Sequence, residues 1–320
     1  EYLEQLPNIK YLIVADKDWF RGLYGNVKPS SYIGYILDYS GIKLVFIPNP
    51  CAAYHAPERT AEQIKLSLEA IKKDESGNYK ELCGYCFLTP MEFNAKMLKR
   101  GFKGITIDEQ IIFEILANHT LDEYKQIEEA YKTETGKELR KDIEKNFNGA
   151  IRKDILNLIS NERRVNSEPD KKECERLADL LINAGEKHWV DDENVFKDVF
   201  VLTSPEEMVL VGRYYYKKTG VLLIDAIEKK LGGKAKTLLR EIVFANIIPH
   251  ELFAEKIYLS IKGLGTNTAL LNRVLASRHG VDMPQIKEIY QWKYKISLKE
   301  DIIGDTSGQY QKLCLFVAEY

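Results

Sequence analysis

The chain repeats itself at a fixed length, and that limits it to architectures built by stacking similar units. Three kinds of marker recur in the same order. The first is an apolar stretch closing a helical run, at Glu114-Ile115-Leu116, Asp198-Val199-Phe200 and Arg273-Val274-Leu275. The second is an aromatic helix end followed by a stop, from Tyr131 to Gly136, Tyr215 to Gly220 and Tyr290 to Lys295. The third is a glycine, at Gly149, Gly233 and Gly308. Each marker advances by 84 residues and then by 75. Self-similarity at such a period marks supersecondary units that cover one another's apolar faces. Gly77 lies 72 residues before Gly149 and marks an earlier, more worn unit.

Within a unit the apolar spacing is helical. Ile111, Ile112, Ile115 and Leu116 share one face, as do Ile127, Ala130 and Tyr131, and Leu139 and Ile143 stand one turn apart. The one β-like passage is 43–54, where Pro48 and Pro50 limit it to a loop or a short edge. The expected fold is all-α, with four repeats of about five helices each. Repeat one takes 1–84, repeat two 85–160, repeat three 174–246 and repeat four 247–320, with a polar linker at 161–173.

Composition narrows the function. Forty-six Lys and Arg against 48 Asp and Glu leave a net charge of −2, so no bulk field draws the chain to nucleic acid or to an anionic membrane. Membrane binding then requires a local device. The opening EYLEQLPNIK is polar, unlike a secretory signal, and no apolar run approaches the roughly 18 residues that span a bilayer. Five scattered cysteines suit a reducing compartment, and a cytoplasmic protein is expected. The Cys83/Cys86 pair lacks a second pair and reads as two small buried hydrophobes. The histidines His55, His119, His188, His250 and His279 show no metal spacing, and no nucleophile–base motif appears. Lys229, Lys230, Lys234 and Lys236 form a basic cluster, read as a solvated helix end or as a patch for acidic lipid or sulfated polysaccharide.

One loop carries chemistry. Ile261-Lys262-Gly263-Leu264-Gly265-Thr266-Asn267 joins two helical stretches, and Asp305 follows Gly263 by 42 residues. Two glycines one residue apart let the backbone turn and present its carbonyls. The carbonyls of Ile261, Gly263 and Gly265 can then face one point, with Asp305 returned there by a helical hairpin. Calcium takes six to eight hard oxygens in flexible geometry, often including a carboxylate. An ion held from one side is a bridge to an anionic head group.

KGLGT followed by DTSG, together with LLNRVLASR and VDMPQIKEIYQWKY, resembles an annexin repeat. The resemblance covers about 85–320 well and 1–84 loosely. It implies a curved disc of four five-helix bundles, non-enzymatic, binding Ca2+ and through it anionic phospholipid. The family's ligands map onto the carbonyls of Ile261, Gly263 and Gly265 and the side chain of Asp305. In repeat two Thr106 replaces the second glycine and the acid position falls on Asn146, which should weaken binding. In repeat three the acid position falls on Lys230, a cation that opposes calcium. In repeat one Phe20, Gly22, Gly25 and Asp74 form a second candidate site, with one extra residue between the glycines and an insertion near 41–56. Trp189 in the third loop is expected to contact the head-group layer, the other reading being an aromatic packed on its own repeat. The partial loss of sites is similar to the divergent protozoan annexins called alpha-giardins, associated with membranes and the cytoskeleton. Cytoskeletal partners and a peripheral position at the inner face of the plasma membrane follow as expectations.

Overall fold

The computed structural model describes residues 11–14, 36–39, 42–46 and 77–320, except 87, 105, 118, 165–167, 264 and 320. Three short strands precede sixteen α-helices among the described residues. The strands are β1 (Tyr11–Val14), β2 (Ile36–Tyr39) and β3 (Ile42–Phe46). β3 lies between the other two, parallel to β1 and antiparallel to β2, with Tyr39 opposite Ile42.

The helices are α1 (Gly77–Tyr85), α2 (Pro90–Gly101), α3 (Glu109–Leu116), α4 (Leu121–Thr135), α5 (Leu139–Asn146), α6 (Gly149–Leu158), α7 (Lys171–Ala184) and α8 (Glu193–Val195). α8 runs into a π-helical segment, Phe196–Val201. Then follow α9 (Pro205–Thr219), α10 (Leu223–Lys230), α11 (Gly233–Ile247), α12 (Pro249–Ile261), α13 (Thr268–Arg278), α14 (Met283–Tyr294), α15 (Leu298–Asp305) and α16 (Gly308–Val317). Repeats two, three and four thus hold five helices each, and α1 is the last helix of repeat one. The helical-repeat class read from the sequence holds. The departure is the strands, formed where β-branched and aromatic residues crowd short segments of the N-terminal part. β3 overlaps the β-like passage but is a central strand, not an edge, and stops before Pro48.

The sequence markers acquire a structural cause. The residue that ends the third helix of repeats two, three and four adopts a left-handed conformation, at Gly136 (φ 72°), Gly220 (φ 72°) and Lys295 (φ 60°). There its N–H reaches the carbonyl four residues back and stops the helix. The glycines of the third marker each begin a fifth helix with positive φ, between 57° and 70° at Gly77, Gly149, Gly233 and Gly308. Helix starts are fixed by capping boxes at Thr89/Glu92, Thr120/Glu123, Ser204/Glu207 and Ser297/Glu300. The expected linker is shorter than read: Asp170 caps α7, so the helix begins at Lys171 rather than after 173.

The described residues form two compact units, one of Thr89–Leu252 and one that joins 253–319 to the described residues up to Leu88. In the first, α2 packs on α4, α7 on α9, α11 on α3, and α6 on the π-helical segment. Its core includes Phe113, Tyr131, Phe147, Leu181, Trp189, Phe200 and Leu239. In the second, α1 packs on α13 and α16, burying Leu82 with Ile257, Leu271, Val274, Ile286, Tyr290 and Ile302. A repeat therefore covers its apolar face with the fifth helix of another.

Candidate metal and lipid site

Two backbone hydrogen bonds frame the fourth-repeat loop. Lys262 N–H donates to Tyr258 O at 2.8 Å, and Asn267 N–H donates across the loop to Ser260 O at 2.7 Å. Asn267 then caps α13 by accepting from Leu270 N–H. Between these ties Gly263 has φ 150° and Gly265 φ 85°. A Cβ added at either would meet nothing within 4 Å, so backbone conformation, not crowding, requires glycine there. The same openness leaves the loop accessible from outside.

The hairpin of α14 and α15 returns to this loop at two points. Thr266 Oγ1 lies 2.6 Å from Asp305 Oδ2 and 2.9 Å from Asp305 O. One turn earlier on α15, buried Asp301 accepts from Lys262 Nζ at 2.8 Å and from Tyr290 OH at 2.6 Å. The hydrogen bond with Asp301 raises the Lys262 pKa, so the ammonium stays charged and is engaged with Asp301. The structure thus brings Asp305 to the loop that contains Ile261, Gly263 and Gly265. Among the described residues no group of three or more His, Cys, Asp or Glu is placed to hold a metal. Carbonyls with a single carboxylate are a different donor set, all oxygen, and suit a hard cation such as calcium.

Repeat two keeps the frame and loses the acid. Asp108 N–H donates to Gly101 O at 2.8 Å, the counterpart of the Asn267–Ser260 bond, and Gly104 has φ 117°. Tyr131 OH donates to Asp142 at 2.6 Å, as Tyr290 does to Asp301. Asn146, however, turns back on its own helix and donates to Asp142 O at 2.8 Å.

Repeat three is closed differently. Ala226 stands where the other two have Asp142 and Asp301, and Tyr215 OH instead meets Glu186 Oε1 at 3.2 Å. Trp189 corrects an expectation: it is fully buried rather than placed to contact lipid. Its Nε1–H donates to Leu181 O at 2.9 Å, and its ring packs edge-on to Tyr215 with centroids 5.8 Å apart. Burying so large a ring with its one donor satisfied outweighs leaving it in water. Lys230 ends α10, exposed. The basic cluster is largely paired, Lys229 with Asp225, Lys234 with Glu109 and Lys236 with Glu228. Phe20, Gly22, Gly25 and Asp74 lie outside the described residues.

Reading the sequence for metal ligands passed over Thr266, Lys262, Tyr290 and Asp301. Their signal is the recurrence of Tyr and Asp eleven residues apart in repeats two and four.

The Annexin family model matches residues 93–158 and 252–317. Annexin A3 of Mus musculus is 32% identical over 245 residues, covering 77% of this chain and 76% of that protein. The solved structure of annexin III superposes with a TM-score of 0.76 at 28% identity, covering 93% of this chain and 95% of that one. A calcium-bound alpha-14 giardin structure shares the fold, with a TM-score of 0.67 at 16% identity over 81% of this chain and 89% of that one. On this identity and coverage, the chain belongs to the annexin family.

Proposed function

We propose that this protein binds anionic phospholipid surfaces in a calcium-dependent way through the fourth-repeat loop, and that it is a binding protein rather than an enzyme. The carbonyls of Ile261, Gly263 and Gly265 and the Asp305 carboxylate would hold the ion. The ion supplies local positive charge that a lipid phosphate can share, which the chain's net charge of −2 does not. The observation that carries this reading is the 2.6 Å approach of Asp305 to Thr266, which places a carboxylate at an open glycine bend 39 residues away in sequence. No described helix is long and apolar enough to cross a membrane, so the contact in this reading is with the lipid surface. Its site of action would be the cytoplasmic face of the plasma membrane.

The test is co-sedimentation with phosphatidylserine-containing vesicles across a calcium titration. The parent should pellet with calcium and remain soluble in chelator, and Asp305→Ala should lose most of that response. A variant that pellets like the parent would remove Asp305 from the site.

The side chains of repeats two and three support a second reading. With Asn146 turned back on its own helix and Lys230 in the acid position, repeats two and three lack a carboxylate at the position that Asp305 takes in repeat four. A chain so depleted would serve chiefly as a scaffold for cytoskeletal filaments, or for sulfated polysaccharide, with little calcium need. Pelleting with filaments in excess chelator would favour it.

A further inference from the structure

The fifth residue after the opening glycine of each fifth helix is Leu82, Asp154, Leu238 and Leu313 in chain order. Three repeats fill the position with leucine and the second with a carboxylate. Leu82 and Leu238 are fully buried, and Asp154 is only 1% exposed. Its Oδ2 has no hydrogen-bond partner. A buried carboxylate without a partner is costly, and a repeat frame that accepts leucine gives no packing reason for it.

What Asp154 faces supplies a reason. It lines a cavity of roughly 290 Å³ with Gly149, Ala150, Lys153, Val190, Asp191 and Glu193. The cavity lies between α6, the last helix of repeat two, and the loop leading into α8 of repeat three. Asp192 is taken up as the cap of α8, accepting from Asn194 and Val195 N–H. Asp191 and Glu193 are exposed and line the same cavity. Burial, then the negative charges of Asp191 and Glu193, push the Asp154 carboxyl up to about 8.

We propose that Asp154, Asp191 and Glu193 form a second divalent-cation site, joining repeats two and three and taking calcium. A proton would neutralise Asp154 alone and leave the other two carboxylates facing the same space. A hard cation engages all three, and three carboxylate groups supply enough oxygens for most of its shell. The three are not gathered into a cage as they stand. The exposed side chains of Asp191 and Glu193 have the rotamer freedom to close on the ion, while Asp154 is the fixed member. Lys153 lines the same cavity and is the competing occupant. The site is independent of the fourth-repeat loop, since its residues lie in the other compact unit.

The experiment is calorimetric calcium titration of the full chain, with Asp305→Ala as background so that the fourth-repeat site is silent. Asp305→Ala should retain an uptake of calcium that Asp305→Ala/Asp154→Leu loses, one ion per chain. Leucine at 154 repeats the residue of the other three repeats, so this variant should fold. Asp191→Asn/Glu193→Gln, changed only at exposed positions, should lose the same ion. Lys153→Ala should strengthen it by removing the competitor. If Asp154→Leu leaves calcium uptake unchanged, both in Asp305→Ala and in Asp305→Ala/Lys153→Ala, the proposal is overturned. That result would leave the fourth-repeat reading intact, and an unaltered titration of the Asp305→Ala protein would sink the fourth-repeat reading alone.

Discussion

The Tyr290 hydroxyl donates to the buried Asp301 carboxylate at 2.6 Å, one helical turn before Asp305. Lys262, inside the glycine bend, meets the other oxygen of the same carboxylate. Asp301 therefore ties α14, α15 and the loop to one point. Tyr290→Phe removes the donor and leaves a buried carboxylate with one partner fewer, a cost of about 1–3 kcal/mol. Tyr131→Phe in repeat two should cost a similar amount of stability, because Tyr131 holds Asp142 at the same distance. Only Tyr290→Phe should also weaken calcium binding, since only that pair positions a helix ending in an acid. Urea denaturation together with calcium titration of the two variants checks this. Equal calcium affinity in both would show that the Asp301 tie does not position the loop.

The second-repeat loop differs from the fourth by two residues that matter for ligation. Asn146 stands for Asp305 and Thr106 for Gly265, while the cross-loop backbone bond and the Tyr–Asp pair are kept. An amide offers calcium one neutral oxygen where a carboxylate offers two charged ones. Asn146→Asp with Thr106→Gly should therefore add one bound calcium to the parent stoichiometry. Asn146→Asp alone should add a weaker one, because Thr106 opposes the glycine conformation. Stoichiometry by calorimetry decides it. No gain in the double variant would mean that the loop backbone, not its side chains, sets the loss.

The repeat frame was legible because it depends on backbone positions that few residues satisfy. A left-handed helix stop and a positive-φ helix start select glycine, and glycine is visible in sequence at any spacing. The meeting of Asp305 with the fourth-repeat loop was legible for the same reason, as a glycine pair plus an acid. Tertiary features were less visible. Trp189 occupies a loop position in sequence, and only the three-dimensional path shows Leu181 O and the Tyr215 ring waiting for it. The strands β1 and β3 pair residues 32 apart in register, so neither segment announces the sheet by itself. Asp154 looks like any helix-surface acid until its burial is known.

The cysteines follow from burial. Cys83 and Cys314 are buried, and desolvation pushes both thiols up to about 12; Cys86 reaches about 12 for the same reason, helped by its neighbours Cys83 and Cys314. Cys174 is raised to about 11, also by desolvation. The thiolate is the reactive form, so at pH 8 these four should resist thiol reagents in the native state and react on unfolding. The same shifts fix a sign for stability. The folded pKa values exceed the ordinary 9.0, so the native chain binds more protons above pH 9 than the unfolded chain does. These thiols cost no stability below pH 9 and progressively weaken the fold as pH rises from 9 toward 12. Replacing Cys83 and Cys314 by alanine should flatten that alkaline loss while lowering stability at pH 7, through the cavities left behind. Thermal melts at pH 7, 9 and 10.5 read both effects, and an equally steep alkaline loss in the double variant would assign it to other groups.

Lys295 is the one non-glycine residue with positive φ among those described, at 60°, and it stands where the other repeats place Gly136 and Gly220. Its N–H still closes α14 on Gln291 O at 3.0 Å, so the stop works at the expense of a side chain in the left-handed region. That conformation costs an L-residue roughly 1–2 kcal/mol relative to glycine. Part of any gain is offset because glycine also loosens the unfolded chain. Lys295 Nζ additionally reaches Trp292 O at 2.7 Å, an exposed contact of small worth. The balance favours Lys295→Gly by about 0.5–1 kcal/mol. Lys295→Ala should fall below the glycine variant, since it keeps the Cβ and loses the lysine contact. Both substitutions lie outside the fourth-repeat glycine loop, so the shift should appear in the urea midpoint with calcium affinity unchanged. If alanine matched glycine, strain at this position would not be what distinguishes the fourth repeat's helix stop from the others.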